Sequence, residues 1–152
     1  MILRQATASD EDIRILVYYR IMMFISMGFT DSEQLYQCEI NSKVYFKKTI
    51  PTQEFFGWIA EIDGNHVGCG GLVIDKHPPG PVNKTGKLGY IMNVVTEPEF
   101  RGKGVGTKIM QTIISFCKDQ GINVVTLHYT EMGRNIYKKL GFTDSNEMKL
   151  VL

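Results

Sequence analysis

The sequence is poor in cysteine, in net charge and in long apolar runs. Three cysteines occur among 152 residues, and no two of them have the C-x-x-C spacing of zinc sites and redox motifs. The formal net charge is +1, which gives no general attraction to nucleic acid or to an anionic membrane. The most apolar stretch, residues 15–29, contains Arg20 and is too short to span a bilayer. We therefore expect no disulfide framework, no nucleic-acid partner and no membrane partner.

The cysteines also indicate a cellular compartment, and the histidines bear on metal binding. Widely spaced cysteines are typical of a reducing compartment, so a cytoplasmic protein is expected. Residues 1–12 become acidic at once and lack the pattern of a signal peptide. The three histidines lack the spacing of a metal-ligand set, so no metal site is expected.

Hydrophobic periodicity and turn signals predict a single domain over residues 1–152. Strands are predicted at residues 2–7, 55–62, 66–74, 88–96, 123–128 and 147–152. Helices are predicted from a cap at Thr7 or Ser9 to Gly28, and at residues 32–48, 104–120 and 132–140. The order β-α-α-β-β-β-α-β-α-β indicates an α/β fold with a mixed sheet and helices on both faces.

The segment after the predicted strand 88–96 carries the clearest chemical signal. Residues 97–107 read Glu-Pro-Glu-Phe-Arg-Gly-Lys-Gly-Val-Gly-Thr, with three glycines at alternate positions. Such a turn exposes backbone N–H groups at the start of the predicted helix 104–120, where the helix dipole also favours an anion. Arg101, Lys103 and Lys108 add local positive charge. The segment therefore predicts a phosphate-binding loop.

Two common phosphate motifs do not fit this loop. A P-loop needs a second glycine five residues after the first, and Thr107 stands at that position. A dinucleotide fingerprint needs its third glycine at position 107, whereas this chain has Gly106. An ATP or NAD binder stays an alternative, but neither motif supports it.

Arg101-Gly-Lys-Gly-Val-Gly106 has the pattern Arg-x-x-Gly-x-Gly and resembles the acetyl-CoA loop of the GNAT acyltransferases. Ile136–Phe142 reads Ile-Tyr-Lys-Lys-Leu-Gly-Phe and is similar to a stretch of that family's C-terminal helix. Residues 3–10 resemble its opening strand and helix cap. The resemblance runs through the chain in the family's order and implies the GNAT fold over residues 1–152.

The resemblance also implies a chemistry and the residues that perform it. The residues that would wrap the pyrophosphate of acetyl-CoA are Arg101, Gly102, Lys103, Gly104, Val105, Gly106 and Thr107. In the family the strand before this loop carries a bulge and separates from its neighbour, which frees backbone groups. The N–H of Asn93 would then hold the thioester carbonyl, and Val95 would pair with the pantetheine arm. Tyr137 matches the tyrosine that protonates or steadies the leaving thiolate.

The implied reaction moves an acetyl group from acetyl-CoA to a primary amine of a small molecule or peptide, by direct attack. Some family members use a glutamate early in the strand before the loop, but Leu88-Gly89-Tyr90 offers no carboxylate. The candidate bases are Glu61, Asp75, Glu97 and His128. A chain without a base would instead be a non-catalytic acyl-CoA sensor, and this alternative stays open.

Three further points concern the acceptor, the cofactor and the assembly. The first two helices of the family shape the acceptor site, which makes Arg20, Phe24 and Tyr36 candidate acceptor residues. Thr130 stands where the family often has an asparagine that contacts the cofactor. A homodimer is one assembly that the family allows.

Overall fold

The computed structural model describes residues 1–152 as a five-stranded sheet with helices on both faces. The strands are β1 (Ile2–Gln5), β2 (Phe55–Ile62), β3 (Asn65–Lys76), β4 (Lys87–Thr96) and β5 (Val124–Leu127). The helices are α1 (Asp10–Ser26), α2 (Ser32–Thr49), α3 (Val105–Asp119) and α4 (Glu131–Lys139), and a 3₁₀ turn at Pro98–Phe100 follows β4. The predicted α/β architecture is confirmed.

The sheet is antiparallel from β1 to β4 and parallel between β4 and β5. The order β1-β2-β3-β4-β5 follows the chain, because a hairpin joins β2 to β3 and α3 provides the crossover that a parallel pair needs. Asp63-Gly64 forms the turn of that hairpin, as predicted.

Two apolar clusters fill the space between the sheet and its helices. On one face, Tyr19 of α1 and Phe46 of α2 are fully buried against Phe55. On the other face, the predicted stripe of α3 is buried, and Ile109 and Ile113 are completely inaccessible. The sheet is therefore the middle layer of three, and β4 is covered by α1 on one side and by α3 on the other.

Asp12 closes the junction between β1 and α1. Its side chain is 6% exposed, and its carboxylate accepts two hydrogen bonds from the Arg4 guanidinium, at 3.0 and 2.8 Å. It also accepts from the backbone N–H and the hydroxyl of Thr7, at 2.7 and 2.8 Å. Burial alone would raise the pKa of Asp12, but the Arg4 and Thr7 hydrogen bonds outweigh it and lower the pKa below 3.8.

We expect Asp12→Ala to lower the free energy of unfolding by about 2 kcal/mol, because the two Nη groups of Arg4 and the Thr7 donors lose their acceptor, while Arg4 keeps its ion pair with Glu61. Denaturant unfolding measures this loss. Asp10→Ala is the matched control, since the Asp10 side chain is 93% exposed and its removal should cost less than about 0.5 kcal/mol.

The direction of the Asp12 pKa shift determines how the stability of the protein depends on acid. A lowered folded-state pKa means that the Asp12 contribution is complete above pH 3.8 and is lost as the pH falls through the lowered value. Asp12→Asn should therefore unfold with a weaker dependence on acid than the wild type. Equal acid profiles for the two proteins would contradict the role given to this carboxylate.

The predicted strand at residues 147–152 is wrong. Residues 143–152 have no regular secondary structure and pair with no other strand. The alternation of Met148, Leu150 and Leu152 suggested a strand, but these side chains are 95%, 81% and 111% exposed. Alternation predicts a strand when one face has a core to cover, and this segment covers none.

None of the helices combines the length and the apolar composition that a membrane crossing requires.

Candidate functional site

A cleft opens where β4 and β5 separate. The two strands pair over four residues, from Leu88 opposite Val124 to Ile91 opposite Leu127. Beyond Ile91, the remaining half of β4 has no partner on its β5 side. The resulting cleft has a volume of about 730 Å³ and is lined by the end of β4, the glycine loop, the start of α3 and α4.

A bulge marks the point where β4 leaves β5. In the β3–β4 register, Met92 lies opposite Gly71 and Val95 lies opposite Cys69, so Asn93 and Val94 together face one residue. Asn93 has a left-handed φ of 53° and is 3% exposed. Such a backbone conformation is uncommon for a residue other than glycine, and it redirects the peptide groups of the strand. The structure thus has both the bulge and the strand separation that the resemblance implied.

The buried thiol of Cys69 contacts this bulge. Its Sγ donates to the carbonyl oxygen of Asn93 at 3.3 Å. Burial raises the pKa of the Cys69 thiol, which keeps the group protonated and able to donate. The contact satisfies a carbonyl that the bulge takes out of regular pairing.

The glycine loop presents a row of free backbone donors. None of the amides from Gly102 to Thr107 donates a hydrogen bond within the chain, and the next one, Lys108, donates to Gly104 at 3.0 Å. Gly102 and Gly104 have φ values of 73° and 83°, and these left-handed conformations turn successive N–H groups to one side. The last three donors belong to the first turn of α3, at the positive end of its dipole. The arrangement can bind a phosphate or pyrophosphate.

The basic side chains of the loop have no acidic partner. Arg101 uses its Nε to donate to the carbonyl oxygen of Thr96 at 3.3 Å, and Lys103 places its ammonium 5.1 Å from the centre of the Phe100 ring. Neither residue forms an ion pair with a carboxylate. Their positive charge is therefore available to an anion bound at the amides.

Tyr137 of α4 lines the same cleft. Its ring packs edge-to-face with Phe142 at 6.0 Å, and burial raises the pKa of its phenol. The ring lies directly over Gly133, because a Cβ at Gly133 would come within 2.7 Å of Tyr137 Cε2. A glycine at this position is what allows the phenol to lie against its own helix.

The predicted binding residues come together, with one exception. The residues that line the cleft include Asn93, Val95, Arg101, Gly102, Gly104, Val105, Gly106, Thr107 and Tyr137. Lys103 does not line it, since its side chain extends over Phe100 instead. Thr130 does line it, at the N-terminus of α4.

The four candidate bases lie in different places. Glu61 forms an ion pair with Arg4 at 2.7 Å, between β1 and β2. Asp75 is exposed near the end of β3, and Glu97 lies outside the cleft lining and near Tyr18 of α1. His128 alone of the four lines the cleft, and its Nδ1 is 2.7 Å from the hydroxyl of Tyr90.

The three acceptor candidates on the first two helices also lie in different places. Arg20 of α1 donates to the side-chain oxygen of Asn93 at 2.8 Å, and its guanidinium lies 4.9 Å from the centre of the Phe24 ring. Tyr36 is 57% exposed and takes no part in the cleft. Arg20 and Phe24 do not line the cleft either, but Arg20 reaches it through its contact with Asn93.

Two contacts at the cleft were not predicted from the sequence. The pairing of Tyr90 with His128 gave no local signal, because the residues lie 38 positions apart. Gly133 could have been noticed, since a glycine four residues before Tyr137 on one helix leaves space for the aromatic ring.

No group of three or more His, Cys, Asp or Glu side chains could hold a metal ion.

Comparisons with known proteins agree with this geometry. The curated relatives include a glucosamine 6-phosphate N-acetyltransferase of Arabidopsis thaliana, 29% identical over 57% of this chain and 56% of its own. Another, an uncharacterized N-acetyltransferase of Methanocaldococcus jannaschii, is 25% identical over 97% of this chain and 62% of its own. The chain thus spans less than two thirds of the length of either relative.

A solved structure matches over nearly the full length of both chains. It is a predicted acetyltransferase with acetyl-CoA from Clostridium acetobutylicum, 29% identical, with a TM-score of 0.89 over 99% of this chain and 95% of its own. The family model described as the acetyltransferase (GNAT) family matches residues 21–142. The chain belongs to the acetyltransferase (GNAT) family.

Proposed function

We propose that this chain is an N-acetyltransferase that moves the acetyl group of acetyl-CoA to a primary amine. One observation carries the proposal: the six free amides of residues 102–107 lie beside the gap where β4 and β5 separate. A phosphate cradle next to an open strand edge fits a ligand that joins a pyrophosphate to an extended, amide-containing arm. Coenzyme A is such a ligand, and acetyl-CoA supplies the thioester.

The residues of the cleft take separate parts in this reaction. The loop amides, with Arg101, bind the pyrophosphate, and Lys103, which does not line the cleft, contributes only its positive charge. The N–H of Asn93, turned by the bulge, stabilises negative charge that develops on the thioester oxygen, while Val95 pairs with the arm. Tyr137 donates its proton to the sulfur as the carbon–sulfur bond breaks. Burial of Tyr137 raises its pKa, so the phenol holds that proton at neutral pH.

We further propose His128 as the base that accepts a proton from the attacking amine. In the tautomer that carries its hydrogen on Nδ1, His128 donates to the Tyr90 hydroxyl and leaves Nε2 free to accept a proton. His128 is exposed at the cleft, where an incoming amine can reach it. The nitrogen then bonds to the acetyl carbon, and its proton leaves on His128.

We expect His128→Gln to lower kcat/KM for the amine by about 100-fold, because a glutamine cannot accept the proton. The affinity for acetyl-CoA should stay within a factor of about 3, since the amides of residues 102–107 are untouched. Titration with acetyl-CoA and an assay of coenzyme A release measure the two quantities. His77→Gln, in the loop before β4, is the matched control, and full activity in His128→Gln would contradict the assignment of the base.

The proposed function is tested by binding and turnover together. Isothermal titration with acetyl-CoA should show micromolar binding, and ATP and NAD should not bind. Release of coenzyme A should then increase with one or more amines from a panel. Binding of ATP or NAD without acetyl-CoA would favour a nucleotide binder, and acetyl-CoA binding without turnover on any amine would favour a sensor.

The proposal includes a small-molecule amine as the acceptor. One relative carries the name of an enzyme that acts on glucosamine 6-phosphate, an amino sugar. We also propose that residues 1–152 act as one domain, since strands from both ends of the chain share one sheet. Three free cysteines, two of them buried, fit the cytoplasm as the compartment.

A further inference from the structure

Arg20 is a partly buried cation without an acidic partner. Its guanidinium makes one hydrogen bond, from Nη1 to the side-chain oxygen of Asn93 at 2.8 Å. None of the six ion pairs of the chain involves Arg20. A guanidinium has five N–H donors, so most of its capacity remains free. Its planar pair of donors suits a carboxylate or a phosphate.

The side chain of Asn93 supplies a second donor at the same place. Its Nδ2 is buried and has no hydrogen-bond partner, in a residue that is 3% exposed. Leaving a buried amide donor unpaired costs about 1–3 kcal/mol, so such groups usually have a partner. The Oδ1 of the same amide is held by Arg20, which fixes the direction of Nδ2. The guanidinium and the amide nitrogen therefore form one donor cluster.

This cluster lies on the α1 side of the bulge, apart from the phosphate loop. Met23 and Ser26, which follow Arg20 on α1, line the cleft together with Asn93. Asn93, which Arg20 contacts, lies three residues after Tyr90 on β4 and lines the same cleft as His128, where the amine is to be deprotonated.

The charged side chains that line the cleft are all positive. No aspartate or glutamate lines it, and its charged residues are Arg101 and Lys139. The charge of Glu147 acts on Tyr90, and the charges of Glu54 and Asp75 act on Tyr45. None of the three forms an ion pair with Arg20. An anionic acceptor at Arg20 would therefore have no ion pair to displace.

We propose that the acceptor amine carries an anionic group, a carboxylate or a phosphate, which Arg20 and the side-chain amide of Asn93 bind. The inference rests on the proposed function and specifies the class of its substrate. Binding the anion at Arg20 directs the amine of the same molecule toward His128. The acceptor therefore contains an amine and an anionic group within one small molecule.

The test compares matched pairs of amines that differ in the anionic group. One pair is an amino acid and its carboxamide, and the other is glucosamine 6-phosphate and glucosamine. The wild type should prefer the anionic member of one or both pairs by about 10- to 100-fold in kcat/KM, as expected for charge-assisted hydrogen bonds. The two pairs distinguish a carboxylate from a phosphate as the anion.

Arg20→Met should remove this preference by raising KM for the anionic amine. It should leave the neutral amine and acetyl-CoA within a factor of about 3 of their wild-type KM values. Arg20→Lys, which keeps the charge and loses the planar donors, should restore part of the preference. If Arg20 only positions Asn93, Arg20→Met will instead lower kcat for neutral and anionic amines alike, and the proposal is overturned.

Binding of each amine to the protein saturated with coenzyme A gives a second readout. The anionic member should bind about 10-fold or more tightly than the neutral one, and Arg20→Met should abolish the difference. If neutral amines bind and react as well as anionic ones, the anion site is wrong while the acetyltransferase stands. If no amine of either kind binds or reacts although acetyl-CoA binds, the proposed function fails, and the acceptor site fails with it.

Discussion

We expect Gly106→Glu to weaken acetyl-CoA binding at least about 100-fold, because it places a carboxylate among the amides that face the pyrophosphate. Gly106 is the second residue of α3, and its amide is one of the six free donors. A Cβ added there would lie 3.6 Å from Ile136 Cδ1 and 3.7 Å from Thr96 Oγ1, which are ordinary contacts. The backbone can therefore accept a side chain, and charge is the main change.

The fold should not suffer from this substitution. A glutamate in the first turn of a helix interacts favourably with the dipole, and glutamate is a better helix former than glycine. The thermal midpoint of Gly106→Glu should equal or exceed that of the wild type. Loss of binding from a protein of full stability separates a functional loop from one that exists for packing.

Gly106→Gln is the matched control, since glutamine has nearly the shape of glutamate without its charge. Its dissociation constant should rise by no more than about 10-fold, through crowding alone. Isothermal titration of the three proteins with acetyl-CoA gives the comparison. Equal affinities for Gly106→Glu and Gly106→Gln would mean that no anion sits at these amides.

Tyr137→Phe should lower kcat by about 100- to 1,000-fold, because the sulfur then leaves without a proton donor at hand. The affinity for acetyl-CoA should change by less than a factor of about 3, since the phenol is proposed to act in the transition state. Tyr129→Phe is the control, because Tyr129 is exposed and bonds to Asp144 outside the cleft. A Tyr137→Phe enzyme with normal kcat would remove this residue from the mechanism.

Proton donation from Tyr137 to the leaving sulfur should depend on pH in one direction. Burial raises the pKa of Tyr137 above its ordinary value of 10, so the acid form persists through neutral and mildly alkaline pH. Activity that depends on this proton should be lost only as the pH rises through the raised value. Tyr137→Phe should lack that alkaline limb and keep its low rate.

Gly133→Ala tests the same phenol without removing it. The added Cβ would come within 2.7 Å of the Tyr137 ring, and the ring can yield by turning about its side-chain bonds. We expect kcat to fall by about 10-fold, as for a displaced catalytic group, while alanine should stabilise α4 by up to about 1 kcal/mol relative to glycine. A more stable but slower enzyme would show that Gly133 positions Tyr137.

The parts of the site that depend on local sequence could be predicted. The alternate glycines and the following helix together specify a turn with free amides, because both are set by neighbours along the chain. Tyr137 was found by its place in a short helical stretch that is similar to the family's. The buried stripe of α3 was readable from its i, i+4 spacing.

The parts of the site that depend on contacts between residues far apart in the sequence could not be predicted. Arg20 and Asn93 are 73 positions apart, and nothing near either residue shows that they meet. Four candidate bases could not be ranked until the sheet placed Glu61 beside Arg4 and His128 at the cleft. The strand expected at 147–152 failed for the same reason, since alternation alone does not supply a neighbouring strand.

The short pairing of β4 with β5 has a consequence for the motions of the chain. Four residue pairs join β5 to the sheet, and α4 has no fully buried residue, so this end of the molecule can open at a low free-energy cost. A ligand that contacts the loop, the β4 edge and α4 at once links both sides of the opening. The amides of β5 and α4 should then exchange with deuterium more slowly as acetyl-CoA is added, because binding to the closed form suppresses opening. The protein would thus be rigid in this region only while it holds its cosubstrate.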